Sequence, residues 1–81
     1  MNKPERLQKI FDICHDLHKS HEPITLDAIF KRLDSQFSKV TISDDLKYMK
    51  FFIIPKGKQW ILTEDGLNAA KNKDIFQYSM M

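Results

Sequence analysis

The sequence predicts a mainly α domain with a small β-hairpin, and three observations carry that expectation. Apolar residues recur at helical spacing from Leu7 to Leu17, from Leu26 to Leu33 and from Ile42 to Met49. Ile53-Ile54 and Trp60-Ile61-Leu62, two short runs rich in β-branched and aromatic residues, flank Pro55-Lys56-Gly57-Lys58, the pattern of two strands joined by a tight turn. Thr63-Glu64-Asp65 then supplies a hydroxyl and two acids to open a last helical stretch.

The first helix is expected from Pro4 to about Lys19, with Leu7, Ile10, Phe11, Cys14 and Leu17 as its apolar stripe and Ile13 beside it. Pro4 suits a first helical turn, where its missing N–H costs nothing, and Glu5 complements the positive helix end. Ser20-His21-Glu22-Pro23 interrupts the pattern, because a proline and the residue before it leave the helical region. Thr25 offers a hydroxyl cap for a second helix through Leu26, Ile29, Phe30 and Leu33, ending near Asp34. After a short polar link from Ser35 to Val40, a third helix is expected to start at Thr41, with Asp44 completing a capping box. Ile42, Leu46 and Met49 would face the core, leaving Ser43, Asp44, Lys47, Tyr48 and Phe51 outside.

Gly57 can supply the positive φ of the hairpin turn, and Trp60 or Ile61 is the expected anchor, since two strands alone would be marginal. Thr63 would cap a final helix from Glu64 to Asn72, with Leu67 and Ala70 inward. The expected organisation is a single domain over residues 1–73 and an apolar tail over 74–81. In that tail Ile75, Phe76, Tyr78, Met80 and Met81 are candidates for a homodimer or partner contact.

With 81 residues, a deep enzyme pocket would be hard to build. No Gly-rich phosphate loop, Ser-His-Asp arrangement or convergent carboxylate pair is recognisable, so neither an enzyme nor a cofactor is expected. Cys14 and His18 stand one helical turn apart, with His15 and His21 nearby, but four convergent ligands are not evident and no metal site is assigned. The single cysteine on an apolar stripe points to a buried thiol in a reducing compartment. The amino terminus lacks an apolar leader, and no apolar run reaches the roughly 18 residues needed to span a bilayer. A cytoplasmic location is therefore expected, with no membrane contact.

The formal charge is +2, and its distribution is uneven. Residues 1–38 carry six basic and six acidic side chains, whereas residues 39–58 carry Lys39, Lys47, Lys50, Lys56 and Lys58 against Asp44 and Asp45, a net of +3. The positive excess falls on the third helix and the hairpin.

Helix, helix, short turn, helix, two-stranded ribbon and closing helix resembles the winged helix-turn-helix family from roughly Leu7 to Lys71. Two segments carry the resemblance. Val40-Thr41-Ile42-Ser43-Asp44-Asp45-Leu46-Lys47-Tyr48-Met49 is similar to the recognition helix, and Trp60-Ile61-Leu62-Thr63-Glu64-Asp65-Gly66-Leu67 to the exit from wing to last helix. The glycine common at the end of the family's recognition helix is absent, and Phe51-Phe52-Ile53 stands there instead. The resemblance implies a small DNA-binding transcriptional regulator whose third helix enters the major groove while the wing touches the backbone. Ser43, Lys47 and Tyr48 would face bases or phosphates, Lys39 and Lys50 would neutralise phosphates, and Lys56 and Lys58 would grip the backbone from the wing tip. Asp44 and Asp45 count against this, Asp45 being expected to pair with a lysine one turn on. The helix also has no arginine for bidentate guanine readout. The alternative is a winged-helix module that docks protein through exposed aromatics and binds no DNA.

Overall fold

The computed structural model of the chain describes residues 3–72. The elements run α1 (Lys3–Lys19), α2 (Leu26–Arg32), α3 (Lys39–Tyr48), β1 (Ile53–Lys56), β2 (Gln59–Leu62) and α4 (Glu64–Asn72). The architecture is thus mainly helical with one two-stranded antiparallel hairpin. The tail residues Ile75, Phe76, Tyr78, Met80 and Met81 lie outside the described residues.

Helix α1 buries the stripe read from its spacing: Leu7, Ile10, Phe11, Cys14 and Leu17 are each at most 2% exposed. It stops in a Schellman arrangement, the N–H of Glu22 donating to the carbonyl of Leu17 and that of His21 to the carbonyl of His18. His21 holds the left-handed position, φ 58°, where glycine is usual. Helix α2 repeats the device. Its start is capped by Thr25, whose hydroxyl accepts from the N–H of Ala28 at 3.1 Å. Its end passes through Asp34 and Ser35, both at positive φ, with the Ser35 N–H on the Phe30 carbonyl. The last helical residue is Arg32 and Leu33 forms the cap, slightly before the end expected near Asp34.

The start of α3 differs from its sequence reading. The cap is Ser38, not Thr41: the Ser38 hydroxyl accepts from the Thr41 N–H at 3.2 Å and the helix begins at Lys39. Ser38 reaches the same kind of orphan donor three residues earlier, so Asp44 sits in the helix interior, exposed, with no capping role. Ile42, Leu46 and Met49 are buried as expected. A fourth residue joins them. Asp45 is 3% exposed and faces α1, where Arg6 grips it with two hydrogen bonds, Nε to Oδ2 at 2.5 Å and Nη2 to Oδ1 at 3.0 Å. Asp45 therefore pairs across the core rather than with a lysine on its own helix. Those hydrogen bonds raise the Arg6 pKa further above its ordinary value, against the opposing effect of burial.

Helix α3 ends without glycine. Met49 caps it, and the N–H groups of Phe52 and Ile53 both turn back onto the Met49 carbonyl. Phe52 then packs edge-on against Phe11 of α1, centroids 5.9 Å apart. The hairpin pairs Ile53 with Leu62 and Pro55 with Trp60 on its inner face, and Ile54 with Ile61 on its outer face. Its anchors are Ile53 and Leu62, both buried; Trp60 is only partly buried against the core and Ile61 points outward. Trp60 has a second attachment, because its N–H donates to the Ile24 carbonyl at 2.8 Å and adds a one-residue bridge to the ribbon. Gly57, at φ 64°, takes the first of the two loop positions between Lys56 and Gln59, as a type II′ turn requires.

Thr63 joins the hairpin to α4. Its hydroxyl donates to the Phe51 carbonyl at 2.8 Å and accepts from the Gly66 N–H at 3.0 Å. This brings the first turn of α4 onto the Phe52 backbone so closely that a Cβ at Gly66 would lie 2.1 Å from the Phe52 carbonyl oxygen. Helix α4 covers Glu64–Asn72 as expected and buries Ala69 and Ala70, with Leu67 packed at the edge.

Two substitutions test this packing. Gly66→Ala should lower the unfolding free energy by about 2 kcal/mol in urea titration, because backbone overlap outweighs the roughly 1 kcal/mol that alanine gains inside a helix. An unchanged or raised stability would refute the close approach. Arg6→Ala should cost about 3 kcal/mol or more by leaving a buried carboxylate unpaired. Asp45→Ala should cost less, since the Arg6 side chain is 22% exposed and can turn to water. Equal losses would contradict the asymmetry of burial.

Candidate nucleic-acid interface

The outer face of α3 is fixed by what its inner face buries. With Ile42, Asp45, Leu46 and Met49 inward, the opposite side of the cylinder carries Val40, Asp44 and Lys47, followed in the next turn by Phe51. The inward turn of Asp45 removes one of the two acids that the sequence assigned to this face. Asp44 remains exposed on it, beside Lys47.

Four of the seven sequence-predicted contact residues share one surface. Lys39, Ser43 and Lys47 line a shallow depression on the α2–α3 side with Leu26, Val40 and Asp44. A second open depression, of about 650 Å³, continues from Lys39 towards the hairpin tip and is lined by Asp27, Pro55, Lys58 and Trp60. Lys39 belongs to both, so basic and hydroxyl groups run from mid-α3 to the turn of the hairpin. Trp60 is held there by the Ile24 bridge and so positions the tip.

The other three lie elsewhere. Tyr48 is 65% exposed, and the ammonium of Lys3, from the start of α1, sits 4.3 Å from its ring centroid. That cation–π contact sets it on the α1 side. Lys50 lies in the turn after α3. Lys56 alternates with Pro55 along β1 and so projects from the outer face of the ribbon, opposite Trp60. Lys47, Lys50, Lys56 and Lys58 form no ion pair with any described residue.

Lys39 does. Its ammonium pairs with the Asp27 carboxylate in the first turn of α2 and lies 5.6 Å from the Phe30 ring centroid. The hydrogen bond from Lys39, then its charge, holds Asp27 below the usual carboxylate range, with a smaller contribution from Lys31. Asp27 was not among the expected site residues, because its sequence position marks it only as a favourable acid at a helix start. The short α2–α3 turn is what brings it to Lys39.

Among the described residues no three His, Cys, Asp or Glu side chains converge on a point that could hold a metal ion. Cys14 is fully buried, and burial pushes its thiol from the ordinary 9.0 up to about 12. No helix among the described residues is long and apolar enough to cross a membrane. Comparison of the chain with protein-family models, with curated proteins and with solved structures finds no match in any of the three.

Cys14 supplies a test of this core. Its native value lies above the unfolded one, so the neutral thiol contributes stability in full below pH 9.0, and that contribution is lost as pH rises towards about 12. At pH 8 a disulfide reagent should label the native chain at least about a thousand-fold more slowly than the chain in denaturant, because reaction requires opening of the domain. Rapid native labelling would show that the thiol is accessible.

Proposed function

We propose that this chain is a winged helix-turn-helix protein that binds double-stranded DNA, acting as a small transcriptional regulator. Helix α3 would approach the major groove and the hairpin, as the wing, would approach the adjoining backbone. The order of elements is compatible with that layout. The observation that carries the proposal is the continuity of Lys39, Ser43 and Lys47 on α3 with Lys58 at the hairpin tip. A strip in which three lysines, Lys39, Lys47 and Lys58, face two acids, Asp27 and Asp44, keeps a positive excess that suits a polyanion whose phosphates recur along a line. The inward pairing of Asp45 with Arg6 supports the same reading, since it takes a negative charge off the approaching face. With no arginine on α3, affinity would come mainly from phosphate contacts, and sequence discrimination from Ser43, Asp44 and Lys47 would be modest.

A second reading has its own observation. Val40, Tyr48 and Phe51 are 70%, 65% and 57% exposed on and after α3. Exposed apolar side chains with polar surroundings suit a protein partner, and on that reading the module would bind no DNA.

Fluorescence anisotropy with a random-sequence duplex separates the two. Binding should weaken steeply between about 50 and 200 mM salt, and Lys47→Ala and Lys58→Ala should each reduce the log–log slope by about 0.9. No anisotropy change at micromolar protein and low salt would rule out the DNA reading and favour the protein-docking one.

A further inference from the structure

We propose that Asp27 is a built-in competitor for phosphate on this surface, occupying Lys39 so that DNA must displace a carboxylate to gain that contact. The inference rests on the DNA reading and adds a residue that tunes it. Lys39 is the first residue of α3 and lines both depressions, which makes it the cation through which the α3 strip and the hairpin tip are continuous. It is also the lysine of the strip that has an acidic partner among the described residues. A phosphate seated between Lys39 and Lys58 would meet the Asp27 carboxylate, because all three side chains line the same depression.

The pair is built to be exchangeable rather than permanent. Both side chains are more than half exposed, 52% for Lys39 and 70% for Asp27. An ion pair in water contributes little to stability and gives way readily to another anion. The Phe30 ring under the ammonium gives Lys39 a second support, so removal of Asp27 leaves the lysine near the depression. The Arg6–Asp45 pair is different, because its Asp45 side chain is 4% exposed and held by two hydrogen bonds. The two ion pairs of α3 therefore differ in kind: one holds the helix, the other regulates its surface.

Four proteins test the proposal by duplex anisotropy over a salt series: wild type, Asp27→Asn, Lys39→Ala and the double variant. Circular dichroism should show all four folded, since neither side chain is buried. Asp27→Asn should bind about five-fold more tightly at low salt, because phosphate no longer has to displace a carboxylate from Lys39. In the Lys39→Ala background the same change should give no comparable gain in affinity. An Asp27→Asn protein indistinguishable from wild type would overturn the inference while leaving the DNA reading standing. So would an equal gain of affinity with and without Lys39, which would mean that Asp27 does not act through that lysine. Silence of all four proteins at low salt would overturn the DNA reading and this inference with it.

Discussion

A bidentate hydrogen-bonded pair between Arg6 on α1 and Asp45 on α3 sets the rotation of α3 about its axis. A carboxylate that is 3% exposed tolerates no rotation that would part it from its guanidinium, because an unpaired buried charge costs several kcal/mol. Apolar burial of Ile42, Leu46 and Met49 alone would allow some adjustment, since hydrophobic contact is not directional. The ion pair is directional. Arg6 also lies 5.6 Å from the ring centroid of Phe37, in the turn between α2 and α3, so one guanidinium links the first helix, the turn and the third helix. What α3 presents to solvent, Val40, Asp44 and Lys47, follows from what it must hide.

The other end of the domain depends on backbone proximity. Thr63 ties the carbonyl of Phe51 to the start of α4, and Gly66 lets α4 close onto the Phe52 backbone. Phe52 is in turn held edge-on by Phe11. The hairpin leaves this joint with Ile53 and Leu62 buried, and the Ile24 bridge to Trp60 steadies its middle. Its turn, with Lys58, thereby comes to face the start of α3 across the depression that Lys39 shares. The proximity of hairpin and α3 is a product of these supports and not of any contact between the lysines themselves, which repel one another.

Exposed charge and buried charge divide the labour on α3. Placing Asp45 inside makes the outer face more positive without adding a cation. Leaving Asp44 and Asp27 outside keeps that face moderate, since each opposes a nearby lysine.

Much of the fold was legible in the chain. The spacing of Leu7, Ile10, Phe11, Cys14 and Leu17, the Thr25 and Thr63 caps, the glycine of the hairpin turn and the span of α4 all follow from local rules, because capping and periodicity involve residues within about one turn of each other. The seven candidate contact residues were also named from sequence, but their grouping was not. Ser38 displaced Thr41 as the α3 cap because two hydroxyls three residues apart compete for one role, and local pattern does not rank them. The partner of Asp45 lies 39 residues away, and that of Lys39 lies across a turn between two helices. Sequence by itself determined which segments are helix and hairpin and where positive charge concentrates. Only the tertiary structure decided which acid is hidden, which lysine is occupied and which four residues share a surface, because those outcomes depend on side chains that packing, not chain order, brings together.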